Sequence, residues 1–158
     1  MKILTGDLSE MENLIARFLK IAELTDFPID PTKIEICPLR PHEPKRLPAG
    51  KMGIYIFYYR GNCLKIGKAG AKSGARFTSQ HYAPGRAKSN LAKSLFHDNE
   101  MKNENLSEKE IGAWIKNNTD RTDILLDKSL GVGALNLLEA FLQYQCRPKY
   151  EGFKSQSR

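Results

Sequence analysis

Six of the eight prolines in this 158-residue chain fall between Pro28 and Pro48, and that cluster organises everything on either side of it. Proline has no N–H, fixes its own φ and pushes the preceding residue out of the helical region, so regular helix is excluded at this density. Only Lys33–Cys37, with Ile34 and Ile36 alternating, could form a short strand there. Residues 25–50 are therefore expected to run as an extended connector wrapping a main domain. Before it, residues 8–24 read as an amphipathic helix. Leu14, Ile15, Phe18, Leu19, Ile21 and Ala22 recur at helical spacing between Glu10, Glu12, Arg17 and Lys20, and Asp7 or Ser9 could cap it.

Beyond the prolines the pattern changes period. Met52–Tyr59 is rich in Ile, Phe and Tyr and reads as a strand, Arg60-Gly61-Asn62 as a turn and Cys63–Ile66 as a second strand, which together make a β-hairpin. Helices are expected over Ser73–Tyr82, Ser89–His97, Ser107–Asn117 and Gly133–Cys146, with a capping box at Ser107–Glu110 and a further strand at Arg121–Leu126. The expected class is α+β: a small, mainly antiparallel three-stranded sheet flanked by helices. Residues 1–50 form an N-terminal helix and arm, 51–153 the main domain, and 154–158 a loose tail.

The net charge is +7, and its distribution is uneven. Residues 1–30 carry three basic and six acidic side chains, whereas residues 51–93 carry nine basic ones and no Asp or Glu. A stretch of one sign makes a local positive field, and a polyanion is the obvious partner. Charge by itself does not separate DNA, RNA, acidic lipid or plain solvent. No apolar run approaches the roughly 18–20 residues that a membrane span needs, so no membrane partner is expected. Cys37, Cys63 and Cys146 show no zinc-like spacing, and with no export signal at Met1–Asp7 they read as reduced thiols in a cytoplasmic protein. His42 and His97 read as surface residues and Trp114 as core.

Some of these residues could carry chemistry. On the first strand Tyr55, Phe57 and Tyr59 share a face, and a hairpin can set Tyr55 beside Lys65. A lysine next to a tyrosine in a positive field would lower both pKa values and make a base more accessible. A packing tyrosine and a solvated lysine fit the same spacing. Glu139 lies among Leu135, Leu138 and Leu142 on a helix, where an unpaired carboxylate is expensive to bury. A metal ion or a salt bridge to Arg76 or Lys65 would each offset that cost.

Gly53-Ile54-Tyr55, followed ten residues after the tyrosine by Lys65-Ile66-Gly67-Lys68, resembles the paired signature of the GIY-YIG nuclease family. Arg76, Glu139 and the segment Arg147-Pro148-Lys149-Tyr150 match further blocks of that family in order, and the resemblance spans roughly Met52–Phe153. Two positions depart from the pattern. Lys65 stands where the second triplet usually begins with tyrosine, as in some restriction endonucleases, and Glu151 stands where many members carry asparagine.

The resemblance implies a metal-dependent endonuclease acting on DNA. Tyr55, Lys65, Arg76, Glu139 and His81 would be catalytic, and Glu139 would hold Mg²⁺ (or Mn²⁺). Lys68, Gly67 and Lys72 would meet the substrate, as would Arg86 and Lys88 in the basic loop Pro84–Asn90. The alternative is a DNA-binding module of the same fold with weakened chemistry. A third option is an interaction protein that uses residues 1–50 as a docking arm. A homodimer is left open.

Overall fold

A computed structural model describes residues 6–86 and 90–150. It holds one four-stranded antiparallel sheet, order β1-β4-β2-β3, with helices on both faces. The strands are β1 (Ile34–Leu39), β2 (Lys51–Tyr59), β3 (Asn62–Ala69) and β4 (Asp120–Asp127). The helices are α1 (Leu8–Glu23), α2 (Gly74–Thr78), α3 (Leu91–His97), α4 (Ile111–Asn118) and α5 (Gly131–Cys146). Among the described residues no helix is long and apolar enough to cross a membrane.

The sheet has four strands rather than the expected three, because the proline-rich connector contributes β1. It pairs with β4 from Ile34↔Leu126 to Leu39↔Arg121. Pro38 is tolerated because β1 is an edge strand, where one side of the backbone needs no ladder partner. Dense proline forbids helix, but it does not forbid an edge.

Each strand sends alternate side chains to opposite faces. Ile54, Ile56, Ile124 and Leu126 face α1 and α5, which bury Met11, Leu14, Ile15 and Phe18 from one helix and Leu135, Leu138 and Leu142 from the other. Tyr55, Phe57 and Leu125 face α2, α3 and α4, with Phe77, Leu91, Leu95, Ile111 and Trp114. Two helices differ from expectation. The Ser73–Tyr82 segment breaks into α2 and a separate 3₁₀ turn at Gln80–Tyr82. The fourth helix starts at Ile111, preceded by a turn in which Glu110 accepts from the Ser107 N–H (3.0 Å) and hydroxyl (2.7 Å).

The β2–β3 hairpin decides where the chemistry sits. Arg60 (φ 48°) and Gly61 (φ 73°) form a two-residue turn between the paired Tyr59 and Asn62. Left-handed values at both positions match the twist of the flanking strands. Counting on from that turn, a regular ladder would set Lys65 opposite Ile56, on the α1/α5 face. Instead the register shifts between Phe57 and Tyr58, and Lys65 pairs with Phe57. The extra residue, Leu64, is a β-bulge, and it moves Lys65 onto the face of Tyr55.

Candidate functional site

Tyr55 is buried in the middle of β2, and its phenol leans across its register partner Gly67. A Cβ at Gly67 would overlap the tyrosine's hydroxyl, and one at Gly53 would overlap the Phe77 ring. Both glycines are therefore required by the packing of an aromatic ring. Crossing Gly67 carries the phenol toward the outer edge of β3. At the start of that strand the chain after α5 covers the edge: Lys149 N–H donates to the Cys63 carbonyl (3.0 Å) and Tyr150 N–H to the Leu64 carbonyl (2.8 Å).

Elements from both faces converge at this edge. Lys65 is buried beside the closing segment, its ammonium 3.5 Å from the Tyr150 carbonyl. Arg76 projects from exposed α2 and shares the rim of an open cleft with Lys72, Ser73 and Gln80. Glu139, on α5, forms an ion pair with Lys68, which follows Gly67 on β3. The charges of Arg76 and Glu139 both reach the Tyr55 phenol, and that of Arg76 also reaches Lys65. Tyr55, Lys65, Arg76, Glu139, Gly67 and Lys68 thus belong to one region. The salt bridge that offsets the burial of Glu139 comes from Lys68, not from Arg76 or Lys65.

The electrostatics of the pair at the centre differ from expectation in one half. Lys65 is lowered, as anticipated, by burial and then by Arg76. Tyr55 is raised to about 12. Burial dominates there, since removing a phenolate from water outweighs the pull of Arg76, and Glu139 pushes the same way as burial. The phenol keeps its proton, and of the two groups the amine is the one whose charged form burial and Arg76 disfavour.

His81 lies on the 3₁₀ turn after α2, its ring 4.4 Å from that of Tyr55 between centroids. Its Nδ1 accepts from the Leu91 N–H (3.3 Å), which leaves the proton on Nε2, a buried atom with no hydrogen-bond partner among the described residues. Burial lowers the imidazole to about 3, helped by the charges of Lys65, Arg121 and Arg76. His81 is a neutral N–H donor here and not a base. Of the other expected substrate contacts, Arg86 is exposed on the turn Pro84–Arg86, and Lys88, like Glu151, lies outside the described residues.

Beneath the site is a polar network that the sequence reading missed. The Arg121 guanidinium, fully buried, donates from Nε to Asp123 (2.6 Å), from Nη1 to the Tyr82 hydroxyl (3.0 Å) and from Nη2 to the Phe77 carbonyl (2.7 Å). It also lies 5.0–5.6 Å from the ring centroids of Phe77, Phe57 and Tyr55. The Tyr82 hydroxyl in turn meets His42 Nε2 (2.7 Å), and His42 Nδ1 meets the Thr119 carbonyl (2.8 Å). Each proton in this chain has one consistent place. Arg121 donates to Tyr82, Tyr82 to His42, and His42 through Nδ1 to Thr119. His42 is buried, not at the surface, because it bridges the connector to the end of α4. By gripping Phe77 and Tyr82, Arg121 fixes the segment that carries Arg76 and His81.

Among the described residues no group of three or more His, Cys, Asp or Glu side chains is placed to share a metal ion. Glu139 offers a single, partly open carboxylate that already holds a cation, the Lys68 ammonium. Such a donor set fits Mg²⁺, which keeps most of its water and is often bound by one or two carboxylates plus substrate phosphate. Comparison with family models, curated proteins and solved structures returned no match to this chain.

Proposed function

We propose that the chain is a metal-dependent endonuclease that hydrolyses DNA phosphodiester bonds, a member of the GIY-YIG family. One observation carries the reading. A buried lysine whose charged form is disfavoured by burial, a protonated phenol, an exposed guanidinium and a carboxylate reach a single strand edge from four elements. Phosphodiester hydrolysis needs such a set: a base for the water, charge on the nonbridging oxygens and a donor for the developing charge.

In this reading the Lys65 amine takes a proton from the attacking water, whose oxygen bonds to phosphorus as the bond to the 3′ oxygen breaks. That leaves a 5′-phosphate and a 3′ hydroxyl that takes its proton from solvent. The Tyr55 hydroxyl, held over Gly67, orients that water. Arg76 clamps the scissile phosphate through its planar fork, and His81 supplies a fixed N–H donor whose state does not change between pH 5 and 9. Glu139 would hold Mg²⁺ or Mn²⁺, which when bound neutralises charge on the phosphate. Lys68 and Lys72 line the approach of the backbone. The thiols fit a cytoplasmic setting, and cutting both strands with one site per chain fits a homodimer.

Incubation with plasmid and branched DNA in Mg²⁺ or Mn²⁺ tests the reading. Wild type should nick, and Glu139→Ala or Lys65→Met should fall about a hundredfold or more. No nicking by wild type, or undiminished nicking by Glu139→Ala, overturns it. A second reading, a DNA-binding module without turnover, is favoured by the raised Tyr55 phenol and the pairing of Glu139 with Lys68. Such a module would bind DNA with steep salt dependence and no need of a divalent ion.

A further inference from the structure

We propose that Lys68 is an exchangeable counter-ion of this site, holding the Glu139 carboxylate in the free protein and releasing it to a divalent cation when a DNA phosphate takes the ammonium. The inference rests on the endonuclease reading and adds a control to it. Lys68 pairs with Ile54 in the β2–β3 ladder, so it is on the α5 face, where Glu139 is its ion-pair partner. Lys65 cannot take that place, because the bulge at Leu64 turns it to the opposite face.

The two members of the pair are not equally free to move. The Lys68 side chain is 34% exposed and the Glu139 side chain 17%. The ammonium is the outer partner, on a flexible four-carbon stem, whereas the carboxylate projects from a sixteen-residue helix packed on the sheet. A divalent ion and an ammonium repel each other at one carboxylate, so the lysine must give way for the ion to bind. Lys68 is also next to Gly67, over which the Tyr55 phenol lies. An ammonium that leaves Glu139 at this edge has a phosphate at the same site as its natural new partner.

Phosphate and cation binding are then linked. A phosphate that draws Lys68 away uncovers Glu139, and a cation on Glu139 frees Lys68 for phosphate, by the same factor in each direction. The free protein would carry a neutral pair in place of a loaded site, and it would load fully only on DNA.

The test is Mn²⁺ binding, read from the magnetic resonance signal of the free ion, with and without short duplex DNA. Wild type, Lys68→Met, Lys68→Gln and Glu139→Gln are compared, with thermal melts to establish that each is folded. Without DNA, both Lys68 variants should bind Mn²⁺ about five- to tenfold more tightly than wild type, the weight of one part-buried ion pair. The gain in Mn²⁺ affinity on adding DNA should be smaller in those variants than in wild type, and Glu139→Gln should lose the site. Equal Mn²⁺ affinity in wild type and both Lys68 variants overturns the exchange while leaving the endonuclease reading intact. Absence of Mn²⁺ binding in every protein, with DNA as without, overturns both.

Discussion

The two faces of the sheet are built on different principles. The face under α1 and α5 is a conventional apolar layer. Its buried side chains are nearly all Met, Leu, Ile and Phe, with the Tyr58 hydroxyl resting on the Met11 sulfur (3.2 Å). The face under α2, α3 and α4 mixes aromatic rings with Arg121, Asp123, His42, His81 and Lys65, all buried. An apolar layer tolerates imprecision, since volume and pattern suffice. A buried polar network does not, because each unsatisfied member costs free energy in a medium of low dielectric. The face that carries Tyr55, Lys65, Arg76 and His81 is the one where geometry is over-determined, whereas Glu139 and Lys68 join the site from the α5 side. The α2 segment is too short to hold a position by itself.

Breaking the network at its centre is the most severe test of that contrast. Arg121→Met leaves the Asp123 carboxylate buried without its partner and removes the ties to Phe77 and Tyr82. Loss of one member of a buried ion pair destabilises by about 3–5 kcal/mol. Adding Asp123→Leu should restore a large part of that, since no uncompensated charge then remains. On the other face, Leu138→Ala should cost about 2–5 kcal/mol by cavity formation, and no partner mutation of charge type should rescue it. Urea denaturation of the four proteins measures both outcomes. Arg121→Met costing under ~1 kcal/mol would mean that the two faces are equivalent.

Acid should separate the faces next. His81 titrates at about 3 in the folded chain against 6.5 when exposed, chiefly through burial. Below pH 6.5 the unfolded chain therefore binds a proton that the folded chain refuses, so stability falls as pH drops from 6.5 to 3 and levels off below that. The slope is about 1.4 kcal/mol per pH unit, or ~3 kcal/mol lost by about pH 4.5. His42, also lowered by burial, adds to the loss in the same direction. His81→Gln should flatten the curve over this window by the amount His81 contributes. Parallel curves for the two proteins would show that His81 is charged in the folded state.

What was readable beforehand follows the same division. Helices α1 and α5 stand out in the sequence because an apolar face needs only a periodicity, and Glu139 was visible as a carboxylate breaking one. The strand at Ile34–Leu39 shows in the sequence only as a short fragment, since its prolines hide an edge pairing that they do not prevent. The bulge at Leu64 leaves no compositional trace, yet it alone decides which face Lys65 joins. Arg121 and Asp123 sit two apart in a strand and look like an exposed, solvated pair. The available signal was that Thr122, Ile124 and Leu126 alternate with them while Leu125 continues their face, so both faces of β4 had to be covered. His42 lay among prolines, without pattern, and its partners Tyr82 and Thr119 are 40 and 77 residues away.

The finest comparison is the same atom removed from each face. Tyr82→Phe deletes a hydroxyl that accepts from Arg121 and donates to His42, both in the interior. One guanidinium N–H and one imidazole nitrogen lose their partner, which should destabilise by about 1–2 kcal/mol. Tyr58→Phe deletes a hydroxyl whose partner is a thioether, a weak acceptor that needs no donor. The sulfur left behind then packs as an apolar atom, and the change should stay within about 0.5 kcal/mol of zero. Because the substitution is identical, differences in size or unfolded-state behaviour largely cancel between the two. What remains is whether the lost proton was part of a network. Equal effects would place the polar chain from Arg121 to Thr119 on the same footing as ordinary packing. A larger loss in Tyr82→Phe would tie the stiffness of the α2 segment, and with it the placement of Arg76 and His81, to a single shared hydroxyl.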